Sequence, residues 1–173
     1  MKFELAQAVE ILRSTPATVK SLLGNLSGDW TASEGNKEDW SPYDIIGHYI
    51  HCEETDWIPR ARIILTHGEN RAFEPFDRYG QFEKFGGKSL NDLLEEFAEK
   101  RAQSLETLNS WNLTDEQLNL KGTHPELGSV NFAQLLSTWV VHDLTHIRQI
   151  VQVMAKKYGE NVGVWKEYLS ILQ

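Results

Sequence analysis

His142 and His146 stand four residues apart in the stretch Asn131 to Tyr158, NFAQLLSTWVVHDLTHIRQIVQVMAKKY, a spacing that puts two imidazoles on one side of a helix. Leu135, Trp139, His142, His146, Ile150 and Val153 advance by threes and fours, so both rings lie on the stripe that faces the core. Imidazole fills an apolar seam poorly unless its ring nitrogens are satisfied. A cation shared by two rings within about 6 Å of each other satisfies one nitrogen of each. Two half-buried histidines bonded to backbone or carboxylates account for the spacing equally well, so the metal reading needs a third ligand.

Four other histidines are available. His67 and His124 fall in expected loops beside Gly68 and Pro125, where a solvated or turn-bonded ring is the ordinary explanation. His48 and His51 lie on the helix that begins at Trp40-Ser41-Pro42. Ile45, His48 and Cys52 share a stripe, whereas His51 aligns with Gly47, Glu54 and Thr55 toward a more polar side. His48 is therefore the better candidate, and an antiparallel bundle can set it opposite His142 and His146. Three neutral imidazoles around a divalent ion, zinc or nickel by ligand type, leave a coordination position open, as catalytic sites do. Cys52, one turn after His48, is either a fourth ligand or a small buried apolar group, the second being the commoner fate.

The elements that must position these rings are legible from caps and periodicity. Phe3, Leu5, Val9 and Leu12 give a first helical pattern that Ser14-Thr15-Pro16 interrupts. Thr15 reads as an N-cap and Pro16 as the first residue of a second segment ending near Leu26, the two forming one kinked arm. Gly28 to Asp39 reads as a loop. Ser41 with Asp44 makes a capping box with proline at the first helical position, and Pro59 predicts a kink near Thr55 before Arg60 to Thr66 completes the element.

His67 to Lys88 reads as a loop packed on the body by Phe73, Phe76, Tyr79, Phe82 and Phe85. These aromatics and Trp139 either line a substrate pocket or fill the core. Ser89 and Asp92 mark another start, followed by a stripe from Leu90 to Leu108 in which Arg101 needs a carboxylate or carbonyl partner. Asn109 to Gly128 is a connection with a short turn at Thr114 to Leu118, and its HPELGSV segment can cover the site mouth through His124. Asn131 and Gln134 cap the histidine helix. Val164 to Ile171 predicts a short closing helix. With no period-two pattern, the expectation is an all-α fold: a four-helix bundle with long loops and a short C-terminal helix, in one domain spanning 1–173.

Composition narrows the function classes. A net charge of -8 argues against nucleic acid or an anionic membrane as main partner. The single cysteine excludes an internal disulfide and fits a reducing compartment, and no apolar run reads as a signal or span, so cytoplasm is expected.

Taken together, WSPYDIIGHYIHCEETDWIPR, the leucine-rich segment with Arg101, HPELGSVNFAQLL and WVVHDLTHIRQI resemble, in order, the DinB/YfiT-like superfamily of metal-dependent proteins, over roughly Leu12 to Met154. The resemblance implies an up-down-down-up bundle, often homodimeric, with a metal held by one histidine of the second helix and two of the last. By position these are His48, His142 and His146, all present. It also implies an enzyme of the hydrolase or thiol S-transferase type acting on a small molecule, the latter with a low-molecular-weight thiol as cosubstrate. Glu53, Glu54 and Asp143 lie near the ligands in sequence, but surface charge or a structural ion pair, Asp143 with Arg101, is the simpler reading, so no catalytic base is assigned. The alternative is a non-catalytic dimeric bundle that binds a metal or ligand.

Overall fold

The computed structural model describes residues 2–33 and 37–173. In chain order the helices are α1 (Leu5–Leu23), α2 (Gly28–Thr31), α3 (Pro42–Thr55), α4 (Trp57–His67), α5 (Gly80–Phe85), α6 (Leu90–Ser110), α7 (Asp115–Leu118) and α8 (Phe132–Lys156). Between α7 and α8 the strands β1 (Lys121–His124) and β2 (Gly128–Asn131) form an antiparallel hairpin, and two 3-10 turns close the chain.

Local chemistry explains the long helices. Capping boxes at Ser41/Asp44, Ser89/Asp92 and Asn131/Gln134 start α3, α6 and α8 as expected, each side chain taking up a backbone donor that the helix itself leaves unpaired. The break before Pro59 falls at Asp56, which separates α3 from α4.

Four expectations are revised. Thr15 and Pro16 do not start a new segment, because α1 runs through them unbroken. The Thr15 hydroxyl donates back to the Ile11 carbonyl, and the donor that Pro16 lacks is replaced at the Leu12 carbonyl by the Arg101 guanidinium, 2.8 Å away. Within the loop expected from Gly28 to Asp39, Gly28–Thr31 is a helical turn, and residues 34–36 lie outside the described residues. The connection after α7 contains a hairpin too short and polar for any alternating pattern. It is held because Gly122 lets the strand press against Ile64 and Phe73, where a Cβ would come within 2.7 Å, and because Gly128 turns at φ 77°. The closing helix is a pair of 3-10 turns, with Val164, Trp165 and Tyr168 exposed, so no apolar stripe is buried to hold a longer α-helix.

Side-chain pairings give the topology. Tyr49 stacks on Phe97 and Glu53 meets Arg101, so α3 and α6 run parallel. His48 approaches His146 while Glu53 meets Trp139, so α3 and α8 are antiparallel. Leu12 meets Arg101 while Lys20 meets Glu95, so α1 and α6 are antiparallel. The order is up-down-down-up, a four-helix bundle. Its interior holds two apolar clusters, one around Leu12, Trp57, Leu105 and Trp139, the other around Val19, Ile45, Phe97 and Ile150. Arg101, Glu53 and Asp143 form a charged layer between them. Among the described residues no helix is long and apolar enough to cross a membrane.

Candidate metal centre

His48 projects from the well-capped α3, and His142 and His146 from successive turns of α8. Antiparallel packing brings the three rings together: His48 to His142 5.1 Å, His48 to His146 4.7 Å and His142 to His146 4.4 Å between centroids. One ring nitrogen of each lies within 4.8 Å of the others. The Nε2 atoms of His48 and His142 are 3.0 Å apart, close to the roughly 3.3 Å separating two ligands bonded at about 2.0–2.1 Å to one tetrahedral ion. His146 Nδ1 lies 2.7 Å from Gln149 Oε1. That carbonyl can only accept, so the proton sits on Nδ1 and Nε2 keeps its lone pair.

Burial sets the protonation state. Loss of solvent, with the neighbouring imidazoles adding to it, lowers the pKa of His48 to about 2 and that of His142 to about 3. Burial lowers His146 as well. All three are therefore neutral at neutral pH, the form a metal requires. His142 Nδ1 is buried without a hydrogen-bond partner among the described residues. Aromatic rings wall the site: Trp40 stacks against His146, Trp57 meets His142 edge-on, and Phe76 meets His48 edge-on. The donor set, its neutrality and its spacing all fit a divalent cation.

The charged layer fixes the helices that carry these rings. Arg101 donates from Nε to Glu53 at 2.8 Å, from Nη1 and Nη2 to Asp143 at 2.6 and 3.0 Å, and from Nη1 to the Leu12 carbonyl. One side chain of α6 thus ties α1, α3 and α8 together, beside His142 on α8 and one turn beyond His48 on α3. Burial opposes the Arg101 charge, yet the two carboxylates more than offset it and raise its pKa. Tyr49 donates its hydroxyl to the Asp143 carbonyl at 2.7 Å, a second tie between α3 and α8. Glu53 and Asp143 are structural partners of Arg101. Glu54 lies outside, paired with Lys84 and Lys100.

The other sequence candidates divide. Cys52 Sγ lies 3.5 Å from His48 Nε2 and 3.8 Å from His142 Nε2, and burial pushes its thiol well above the usual range, so it stays protonated in the metal-free protein. His51 turns away to the Asp77 carbonyl. Trp139 lies in the core, stacked on Trp57 with its indole nitrogen donating to Glu53. Phe73 and Phe85 are core residues too, whereas Phe76 lines the cavity over the imidazoles. His124 reaches that cavity from the hairpin, as its place before α8 predicted.

Sequence reasoning missed Asp56, Arg60 and Arg78, which share the same cavity of about 370 Å³. Asp56 is buried at the α3/α4 break, where it caps no helix with its side chain and pairs instead with Arg60. Burial, only partly offset by Arg60, pushes its carboxyl up to about 6. The Pro59 break was the one available signal, since it redirects the residues just ahead of it.

Residues 11–150 match the family model described as the DinB superfamily. Among solved structures, YfiT from Bacillus subtilis, described as "a probable metal-dependent hydrolase with an unusual four-helix bundle topology", matches with a TM-score of 0.75 and 20% identity, covering 92% of this chain and 90% of that one. At that identity the likeness shows the fold. No curated protein matches the sequence.

Proposed function

Because the chain belongs to the DinB superfamily, and because three neutral imidazoles converge on one point at the floor of a cavity, we propose that it is a metal-dependent enzyme whose ion is held by His48, His142 and His146. The convergence of the three ring nitrogens within 4.8 Å is the observation that supports this most. The likeness to YfiT, named as a metal-dependent hydrolase, agrees with it. A divalent ion there supplies Lewis acidity, lowering the pKa of water or a thiol and polarising an electrophile. Zinc and nickel both suit the ligands.

The chain's own groups favour hydrolysis over thiol transfer. Asp56, ionised at neutral pH, can take a proton from a water molecule in the cavity, and Arg60 fixes the carboxylate in place. Trp40, Trp57 and Phe76 flank the imidazoles. The homodimer implied by the resemblance has an apolar face available on α1 and α8, where Ile11, Val141 and Leu144 are exposed.

Elemental analysis of protein purified without chelator or affinity-column metal tests the proposal. One divalent ion per chain is expected, lost in His142→Ala, together with Asp56-dependent turnover in an ester panel run beside a thiol-conjugation panel. Folded protein that takes up no metal from solution would end the reading.

A further inference from the structure

The groups at the cavity mouth carry information about what enters it. Arg60 and Arg78 are matched in number by Asp56 and Glu126, and the three histidines that line the same cavity ligate a metal as neutral rings. The side-chain charges lining the cavity thus sum to zero, and a bound divalent ion leaves an excess of about two positive charges there, inside a chain whose net charge is -8. Asp56 is occupied by Arg60. Arg78 is exposed and makes no ion pair among the described residues, and it lines the same cavity as His48, His142 and His146.

His124 adds a directed donor. Its Nδ1 accepts the backbone N–H groups of Glu126 at 3.1 Å and Leu127 at 3.2 Å, which places the ring proton on Nε2. Burial, with Arg60 nearby, lowers its pKa, so the ring is a neutral N–H donor at pH 7.

We infer that the cavity takes a small substrate bearing one carboxylate, held by the Arg78 guanidinium and the His124 Nε2–H at the mouth while its reacting group lies toward the three imidazoles. This rests on the metal-enzyme reading above. A planar carboxylate matches the guanidinium fork. The guanidinium fork of Arg78 and the single N–H of His124 match the two oxygens of a carboxylate and leave the further oxygens of a phosphate without a donor there.

Calorimetric titration of the full chain with propionate, propionamide and inorganic phosphate tests this, on zinc-loaded and chelator-stripped protein, with metal content measured in each sample. Propionate should bind the zinc-loaded protein, and Arg78→Ala should weaken it about tenfold or more, with zinc content unchanged. Arg78→Lys should recover part of the loss, and His124→Phe should weaken binding several-fold. Arg78 is exposed, so its variants keep the fold. Equal propionate binding by parent and Arg78→Ala, propionamide binding as tightly as propionate, or phosphate preferred over propionate would each overturn the inference. Failure of the metal reading shows separately, as absence of zinc in the loaded sample.

Discussion

Replacing Arg101 by Met tests the account of how the histidines are held. The substitution leaves Glu53 and Asp143 buried without a counter-ion and the Leu12 carbonyl without its donor, on a helix where Pro16 supplies none. Breaking a buried ion pair from one side costs about 3–5 kcal/mol, and an orphaned buried carbonyl adds roughly 1–3 kcal/mol. Protonation of Glu53, whose pKa burial already raises, returns part of this. A net loss of about 4 kcal/mol is expected. In a domain of this length that lowers Tm by about 8–16 °C.

Urea unfolding of the metal-free protein measures the loss directly, provided the slope with denaturant is unchanged. Metal affinity should fall about tenfold or more as well, because Asp143 adjoins His142 and Glu53 is on the helix of His48. The combined variant Arg101→Met/Glu53→Leu/Asp143→Leu, which removes every charge of the layer, should regain most of the stability but not the metal affinity. A loss below about 1 kcal/mol in Arg101→Met, or a combined variant no more stable than the single one, would refute the view that this layer holds the four helices in register.

Two further outcomes follow from the same structure. In the metal-free protein, stability should fall as pH drops from 7 to 5, since the unfolded chain takes up protons at His48 and His142 near pH 6.5 while the folded chain does so only near pH 2–3. The two histidines together account for about 4 kcal/mol, and Asp56, protonated near pH 6 when folded, opposes this by about 1 kcal/mol, leaving a net loss of about 2–3 kcal/mol in urea midpoints; a flat or rising profile would contradict the burial of the imidazoles. Gly122→Ala should cost about 1–3 kcal/mol in thermal or urea unfolding, because the new Cβ meets Ile64 and Phe73 at 2.7 and 3.0 Å, and unchanged stability would show that the hairpin packs loosely on α4.

The sequence alone determined what local chemistry encodes. Capping residues started α3, α6 and α8, the three-and-four spacing put His142 and His146 on the inner stripe, and the same logic preferred His48 to His51. Arg101 in an apolar stripe announced a buried partner, because an unpaired guanidinium there is too costly. What the sequence left open depends on groups far apart in the chain. Pro16 reads as a helix start until Arg101, 85 positions later, is seen to satisfy the Leu12 carbonyl. The hairpin has no periodicity of its own and is held by contacts that Gly122 permits. Arg78 carries no local mark, Asp56 only the Pro59 break and His124 only its place before α8, since a carboxylate, a cation and an imidazole become one site only where the break at Asp56, the loop after α4 and the hairpin fold over the same cavity. Residue type and spacing settle secondary structure and inward direction; tertiary packing alone decides which distant polar groups share one cavity, and therefore what that cavity can recognise.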